Sequence, residues 1–148
     1  MNKVDKYEIR ESLYYDSANH FWADVSGNTA VIGMSPLVQE TSGSFVAVQF
    51  AKPGTTFKKG ESIGTVEAEK HVGPLKSPLS GKVRLVNDAV MNNPRLINEQ
   101  PYDDGWLMEI ELTDTRELDG LITGEQNIRE WFETELKRFN DKGWIAQP

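Results

Sequence analysis

Apolar and polar residues alternate along several short segments of the chain, which is the pattern of β-strands with one buried face. The alternation is strictest at Trp106, Met108, Ile110 and Leu112, which would share one face of a strand. Further strands are predicted at 20–25, 29–33, 45–50, 62–67 and 82–86. Glycine, proline and asparagine between these segments predict tight turns, so we expect a mainly β fold built from short strands.

The apolar period changes near the C-terminus, where apolar residues recur every three or four positions. This spacing predicts an amphipathic helix whose apolar face packs on the β core. Thr123 and Gln126 have the spacing of a capping box at its start. A second, shorter helix is predicted at about 36–41 because Ser35-Pro36 suits a helix start. The helical stripe consists of Ile128, Trp131, Phe132, Leu136 and Phe139.

These patterns divide the 148 residues into three predicted parts. Residues 1–18 are polar and would form an N-terminal tail or a short helix. Residues 19–112 would form the β domain, and residues 113–148 a C-terminal helical extension. The length suits a single domain with one modest core.

Composition and charge exclude several classes of function. Twenty-three acidic residues against 16 basic ones give a net charge of −7, which disfavours binding to nucleic acid or to an anionic membrane. The absence of cysteine excludes disulfides and thiolate catalysis. The two histidines lie far apart in sequence, so no metal site is predicted. No nucleophile–base pattern indicates an enzyme. The N-terminus lacks the apolar core of a signal peptide, and we expect a cytoplasmic protein.

Lys70 is the residue with the most distinctive setting. It lies between two short alternating segments, which predicts a hairpin with the lysine at its tip. A lysine displayed in this way is a candidate attachment point for a prosthetic group. The chemistry would then belong to the attached group, and the chain would need no catalytic residues of its own.

Residues around Lys70 and along most of the chain resemble the H-protein family of the glycine cleavage system. The resemblance runs from about residue 20 to residue 121, and its many anchors occur in a consistent order. They are His20-x-Trp22, Thr29-Ala-Val-Ile-Gly33, Gly60-Glu61, Gly64-x-Val66-Glu67-x-x-Lys70, Ser77-Pro78-x-Ser80-Gly81-x-Val83, Asn87, Pro94-x-Leu96-Ile97-Asn98 and Pro101-Tyr102-x-x-Gly105-Trp106-Leu107.

The resemblance implies a barrel-sandwich hybrid fold, as in lipoyl- and biotinyl-carrier domains, with lipoate amide-linked to Lys70. Glu67 and Glu69 would keep the lysine hydrated and exposed, and a lipoate-attaching enzyme would recognise these two glutamates. His71 is either a proton shuttle for the thiols of the lipoyl group or an ordinary solvated residue. Biotin is the weaker alternative, because a biotinyl lysine typically lies between methionines and Lys70 lies between Glu69 and His71.

Two positions depart from the family pattern. Family members that carry an aminomethyl group have an acid in the first-strand motif and another four residues after the lysine. Phe21 and Pro74 occupy these positions here. A cationic amine is held by charge-assisted hydrogen bonds to carboxylates, so their loss argues against that cargo.

The departures favour a subgroup of H-like proteins, the lipoate-binding proteins of sulfur-oxidising prokaryotes. Lipoate on Lys70 would then shuttle sulfane sulfur to a heterodisulfide-reductase-like complex. The alternative is an H protein that carries the aminomethyl group between a decarboxylase, an aminomethyltransferase and a dihydrolipoamide dehydrogenase. A third hypothesis is a scaffold or lipoyl-relay protein.

Overall fold

The computed structural model describes residues 3–144, and most of the predicted strands are present in it. In chain order the strands are β1 Lys3–Val4, β2 Tyr7–Glu8, β3 Tyr14–Asp16, β4 Phe21–Ser26, β5 Thr29–Met34, β6 Phe45–Phe50, β7 Thr56–Phe57, β8 Ser62–Ala68, β9 His71–Lys76, β10 Gly81–Val86 and β11 Met108–Leu112. The helices are α1 Val38–Ser42, α2 Asp88–Asn92, α3 Leu96–Glu99 and α4 Glu125–Asp141, with a 3₁₀ helix at Thr115–Gly120.

The strands form one large and two small antiparallel sheets. The large sheet has the order β3-β4-β5-β11-β10-β7, and a three-stranded sheet has the order β6-β8-β9. Strands β1 and β2 form a separate hairpin. The large and the three-stranded sheet pack face to face without closing into a barrel. The expected mainly β fold with a C-terminal helix is therefore confirmed, and the sandwich part of the hybrid description applies.

The main core lies between these two sheets. Alternation along each strand places one apolar set inward, for example Ile32 and Ile110 from the large sheet and Val66 from the small one. Phe21, at the start of β4, is 1% exposed and belongs to this core. The three-stranded sheet is thereby held firmly against the large sheet, which matters because β8 and β9 carry Lys70.

A second core lies on the other face of the large sheet, beneath α4. The helix buries Ile128, Phe132 and Phe139 against residues that include Trp22. Trp22 also explains why residue 33 is glycine, because a Cβ at that position would lie 2.3 Å from the Trp22 ring. The predicted apolar stripe of the helix therefore faces the β structure, as expected.

The N-terminal segment differs from the expectation of a tail or a short helix. Its described residues form β1, β2 and β3, and β3 extends the large sheet by pairing with β4. Tyr7 and Tyr15 are buried in the second core. Strands of two or three residues are too short to show a period, so the pattern of this segment could not reveal them. The division of the chain at residues 18 and 112 stays a prediction.

Two local predictions are wrong. Trp106 was expected to begin the last strand, but β11 begins at Met108 and the Trp106 side chain packs against the second core. Thr123 was expected to cap the last helix, but α4 begins after Gly124 without a side-chain cap. Gly124 has a φ of 89°, which turns the chain into the helix. Within residues 3–144 no helix is both long and apolar enough to cross a bilayer.

Candidate functional site

Lys70 lies at the tip of the predicted hairpin. Strands β8 and β9 pair from Ser62 and Lys76 up to Ala68 and His71, which leaves Glu69 and Lys70 as the two-residue turn. The Lys70 side chain is exposed. Within the described part of the chain, no hydrogen bond or salt bridge engages its Nζ. The ammonium group is therefore free to be modified.

The backbone of the tip is fixed to the segment that follows α1. The Lys70 N–H donates to the Ser42 carbonyl at 2.9 Å, and the Glu69 N–H donates to the Ser44 carbonyl at 3.1 Å. The Ser44 N–H in turn donates to Glu69 Oε1 at 2.8 Å. This last bond, from a backbone N–H to a carboxylate, holds the pKa of Glu69 below its ordinary value. The start of the lysine side chain is thus held rigidly while its end is free.

Asn98 supports this segment from the other side. Its Oδ1 accepts from the Phe45 N–H at 2.9 Å, and its Nδ2 donates to the Gly43 carbonyl at 3.0 Å. Gly43 has a φ of 73°, and a Cβ there would lie 2.9 Å from Glu69 Oε1. The positive φ favours glycine at this position, and a Cβ would also crowd the Glu69 side chain.

A cleft of about 250 Å³ opens beside Lys70, between the hairpin, α1 and the start of β4. Its apolar lining includes Phe21, Met34, Val38, Val66 and Leu75. Lys70, His71 and Lys76 lie at the hairpin side of the cleft. Among the described residues that line it, none is acidic. The cleft can therefore shelter an apolar group tethered to Lys70.

The four site residues expected from the sequence do not all lie together. Lys70 and His71 line the cleft, and Glu69 is bound to Ser44 beside it. Glu67 is exposed and lines a separate shallow pocket with Gln49 and Thr65 on the outer face of the small sheet. Strand alternation explains this, because Val66 and Ala68 point inward and Glu67 must point outward.

Sequence reasoning missed the surroundings of His20, which also lines the cleft. His20 Nε2 lies 2.7 Å from Oε1 of Glu135, a carboxylate on α4. Arg138 donates to both oxygens of that carboxylate, at 2.8 Å and 3.0 Å. The two residues are 115 positions apart in sequence, so no local sequence pattern could indicate that they pair. A carboxylate thus lies behind the cleft wall, although positions 21 and 74 carry none.

Charge and burial act in opposite directions on this pair. Burial lowers the pKa of His20, and the hydrogen bond and charge of Glu135 oppose this without overcoming it. Burial raises the pKa of Glu135, but the hydrogen bonds from Arg138 and His20 outweigh it, so this pKa lies below its ordinary value. Near neutral pH His20 is therefore a neutral imidazole beside an ionised carboxylate.

Comparison with known proteins gives consistent results. The Glycine cleavage H-protein family matches residues 13–135. The glycine cleavage system H protein of Myxococcus xanthus is 43% identical over 103 residues, which are 70% of this chain and 80% of that protein. The glycine cleavage system H protein of Anoxybacillus flavithermus is 41% identical over 118 residues, which are 80% of this chain and 92% of that protein.

Comparison of structures agrees. The crystal structure of a glycine cleavage system H protein from Mycobacterium marinum matches with a TM-score of 0.66 and 31% identity. The match covers 76% of this chain and 97% of that one.

The expectation of a sulfur-carrying protein is wrong. Relatives at about 40% identity are named as glycine cleavage system H proteins, which supports the alternative. The expected heterodisulfide-reductase-like partner finds no support either. Phe21 and Pro74 leave two family positions without an acid, but they do not exclude a carboxylate from another segment of the chain. Glu135 reaches the wall of the cleft, through His20, from a helix that was taken for an extension.

The hairpin that displays Lys70, the fold that supports it and the match over residues 13–135 lead to one conclusion. The chain belongs to the glycine cleavage H-protein family.

Proposed function

We propose that Lys70 carries a covalently attached lipoate, and that the protein carries an aminomethyl group between the enzymes of glycine cleavage. As a member of this family, the protein is a carrier and not an enzyme. Its proposed partners are a lipoate-attaching enzyme, a glycine decarboxylase, an aminomethyltransferase and a dihydrolipoamide dehydrogenase. The observation that carries the proposal is the exposed Lys70, whose Nζ has no hydrogen-bond or salt-bridge partner within residues 3–144, at a rigid hairpin tip beside a partly apolar cleft.

The residues around Lys70 fit a lipoyl group. The dithiolane end of lipoate is apolar, and the cleft offers Phe21, Val38 and Leu75 among its apolar walls. The tip turn protrudes from the small sheet, so an attaching enzyme can reach the ammonium group. When bound, lipoate supplies a dithiol–disulfide pair that accepts and releases both the cargo and electrons.

The chain's own residues position this group. Ser42 and Ser44 hold the backbone of Glu69 and Lys70, so the tethered chain always starts from one place. Rigid placement of the attachment point raises the effective concentration of the tethered group at a docked partner. His71 lies at the cleft, and Glu67 on the outer face of the hairpin lies where an attaching enzyme can contact it. Roles for His71, Glu67 and Glu69 remain part of the proposal.

Attachment is tested by intact mass after incubation with a lipoate-attaching enzyme, lipoate and ATP. We expect one lipoyl group on the wild-type protein and none on Lys70→Arg. Lys76→Arg is the matched control, because Lys76 is exposed on the same hairpin and lines the same cleft. It should be modified as the wild type is. Modification of Lys70→Arg, or none of the wild type, contradicts the proposal.

Cargo is tested with the lipoylated protein in its oxidised, disulfide form, a glycine decarboxylase and isotope-labelled glycine, because the disulfide supplies the two-electron acceptor that loading after decarboxylation requires. We expect glycine-dependent transfer of label to the wild-type protein, seen as a mass increase on the lipoylated species. Lys70→Arg should take up no label. A lipoylated protein that takes up none with an active decarboxylase contradicts the carrier function.

A further inference from the structure

The cleft beside Lys70 suits a small apolar group. Its volume of about 250 Å³ lies just below the roughly 300–1,000 Å³ that is typical of small-molecule sites. The dithiolane ring of a lipoyl group is small and apolar, so placing it in the cleft would remove apolar surface from water on both sides. The apolar walls of the cleft include Phe21, Met34, Val38, Val66 and Leu75.

The polar side chains on the cleft wall offer no counter-charge to a cation. Both ring nitrogens of His20 are already engaged, Nε2 by Glu135 at 2.7 Å and Nδ1 by the Ser35 hydroxyl at 3.3 Å. The Thr41 hydroxyl donates to a backbone carbonyl of its own helix, and Asn19 carries a neutral amide. Among the described residues that line the cleft, none is acidic.

The His20 ring is also held in place, so it does not turn toward a bound group. Its backbone has a φ of 58°, in the left-handed region, and the Ser35 N–H donates to its carbonyl at 2.7 Å. Its ring centroid lies 4.9 Å from that of Trp131. Behind it, Glu135 is 7% exposed and accepts from Arg138 through both oxygens. That carboxylate is occupied, and it does not line the cleft.

Attachment of lipoate makes the cleft still less suitable for a cation. Acylation converts the Lys70 ammonium group into an amide, which is uncharged. Lys76, which also lines the cleft, keeps its positive charge. An ammonium group that entered on the lipoyl chain would lose water without gaining a carboxylate, and the charge of Lys76 would repel it.

We propose that the cleft discriminates between two states of the lipoyl group: it holds the uncharged dithiolane and excludes the cationic aminomethyl form, which stays in solvent. The inference rests on the proposed function, because it concerns where the lipoyl group of that function lies. The unloaded group is sheltered, and the loaded group is presented to the next enzyme. Phe21 and Pro74 determine this selectivity, because each places an uncharged side chain on the cleft wall.

Two alkylating reagents give a charged and an uncharged lipoyl group of nearly equal size. After enzymatic attachment and reduction, 2-bromoethylamine places an aminoethyl group on each thiol, and 1-bromopropane places a propyl group. In each reaction a C–S bond forms, and bromide and the thiol proton leave. The chain has no cysteine, so the lipoyl thiols are the only thiols, and intact mass verifies the products. Neither reagent requires a decarboxylase.

Methyl NMR shows whether the lipoyl group occupies the cleft. Val66 and Leu75 line it, whereas Val46 is 60% exposed on β6 and does not. We expect the Val66 and Leu75 signals to shift in the disulfide and propyl forms while those of Val46 stay. For the aminoethyl form, the equilibrium constant for occupying the cleft should be at least about tenfold smaller, which corresponds to about 1.4 kcal/mol. Equal occupancy by both forms, or by neither, overturns the inference.

Pro74→Asp tests whether the missing carboxylate is the cause. Pro74 is exposed on the edge strand β9 and lines the cleft, so an acid there leaves the core intact. The aminoethyl form of this variant should shift the Val66 and Leu75 signals as the propyl form does. Val72→Asp is the matched control, because Val72 is 72% exposed on the same strand and does not line the cleft. It should exclude the aminoethyl form as the wild type does. Entry in both variants, or in neither, overturns the role of the cleft lining.

The outcomes separate this inference from the proposed function. A wild-type protein that never receives lipoate on Lys70 overturns both. A lipoylated protein that takes up label from glycine and yet holds the aminoethyl form in its cleft overturns this inference alone. A lipoylated protein that excludes the aminoethyl form but takes up no label supports the selectivity of the cleft and contradicts the glycine-cleavage cargo.

Discussion

The position of Lys70 depends on backbone groups and on one side chain that are remote from it in sequence. Three hydrogen bonds join Glu69 and Lys70 to Ser42 and Ser44, and Asn98 holds the residues on either side of Ser44. The sequence pattern identified Lys70 and included Asn98 in a motif. It could not show what Asn98 does, because the partners of its side chain lie 53 and 55 residues away.

Replacing Asn98 tests this support. Asn98→Ala leaves the Phe45 N–H and the Gly43 carbonyl without their partner, which should lower the free energy of unfolding by about 1–3 kcal/mol. The Lys70 amide should also exchange its hydrogen faster, as measured by NMR. Asn93→Ala is the matched control, since Asn93 is an exposed asparagine nearby. Unchanged exchange at Lys70 in Asn98→Ala would show that the tip does not depend on Asn98.

The hydrogen bond between Ser44 and Glu69 should depend on pH. Folding lowers the pKa of Glu69. Its carboxylate therefore stabilises the tip fully at pH values above the ordinary pKa of a glutamate, and this stabilisation is lost as pH falls through the lowered pKa of the folded state. The chemical shift of the Ser44 amide should titrate with this pKa. Glu69→Gln should abolish the titration, and Glu67→Gln, on the outer face, should leave it intact. A Ser44 titration that survives in Glu69→Gln would rule out this carboxylate as its cause.

At the scale of elements, long regular patterns were predictive and short ones were not. The strands β4, β5, β8, β10 and β11 and the helix α4 follow from alternation or from a helical stripe, and β6 follows from a largely apolar run, since each spans at least five residues. The strands β1, β2, β3 and β7 have two or three residues each and were missed. They form through pairing with neighbours and through burial of single side chains such as Tyr15, which is a tertiary effect.

The helix α4 should contribute strongly to stability through its buried face. Phe132 is fully buried, and its ring meets that of Tyr15 edge-on at 5.5 Å. We expect Phe132→Ala to lower the free energy of unfolding by about 3–5 kcal/mol, measured by urea denaturation. Glu133→Ala, on the exposed face, should change it by less than about 0.5 kcal/mol. A loss for Phe132→Ala no larger than for Glu133→Ala would mean that the helix is not packed on the second core.

At the scale of the whole molecule, the two cores link the N-terminal hairpin and the helix α4 to the cleft. Trp22, in β4, packs in the second core, while its neighbour Phe21 packs in the main core and lines the cleft. Adjacent residues of a strand point to opposite faces, so one strand couples both cores. His20 extends this link, because its ring contacts α4 and its residue borders the cleft. Sequence patterns describe elements one at a time, so they could not reveal a coupling of this kind.

This coupling should make the stability of the whole protein depend on pH. The unfolded chain protonates His20 at about pH 6.5, whereas burial lowers that pKa in the folded state despite Glu135. Arg138 also disfavours the protonated ring, and Asp16 favours it. Between the two pKa values only the unfolded state binds the proton. The free energy of unfolding should therefore fall as pH drops below about 6.5. The total loss should be about 1.4 kcal/mol for each unit by which folding lowers the pKa of His20.

Urea denaturation at several values between about pH 7 and pH 5 measures this dependence. Folding lowers the pKa of Glu135, so the stability that its carboxylate contributes is lost only at lower pH. Within the pair, the dependence in this pH range therefore comes from His20. His20→Asn should flatten the dependence because it removes the titrating ring while tolerating the left-handed backbone. His71→Asn, which removes an exposed imidazole at the hairpin, should keep the wild-type slope. An equally steep slope in His20→Asn would assign the pH dependence to other groups, and α4 would then have no titratable link to the cleft.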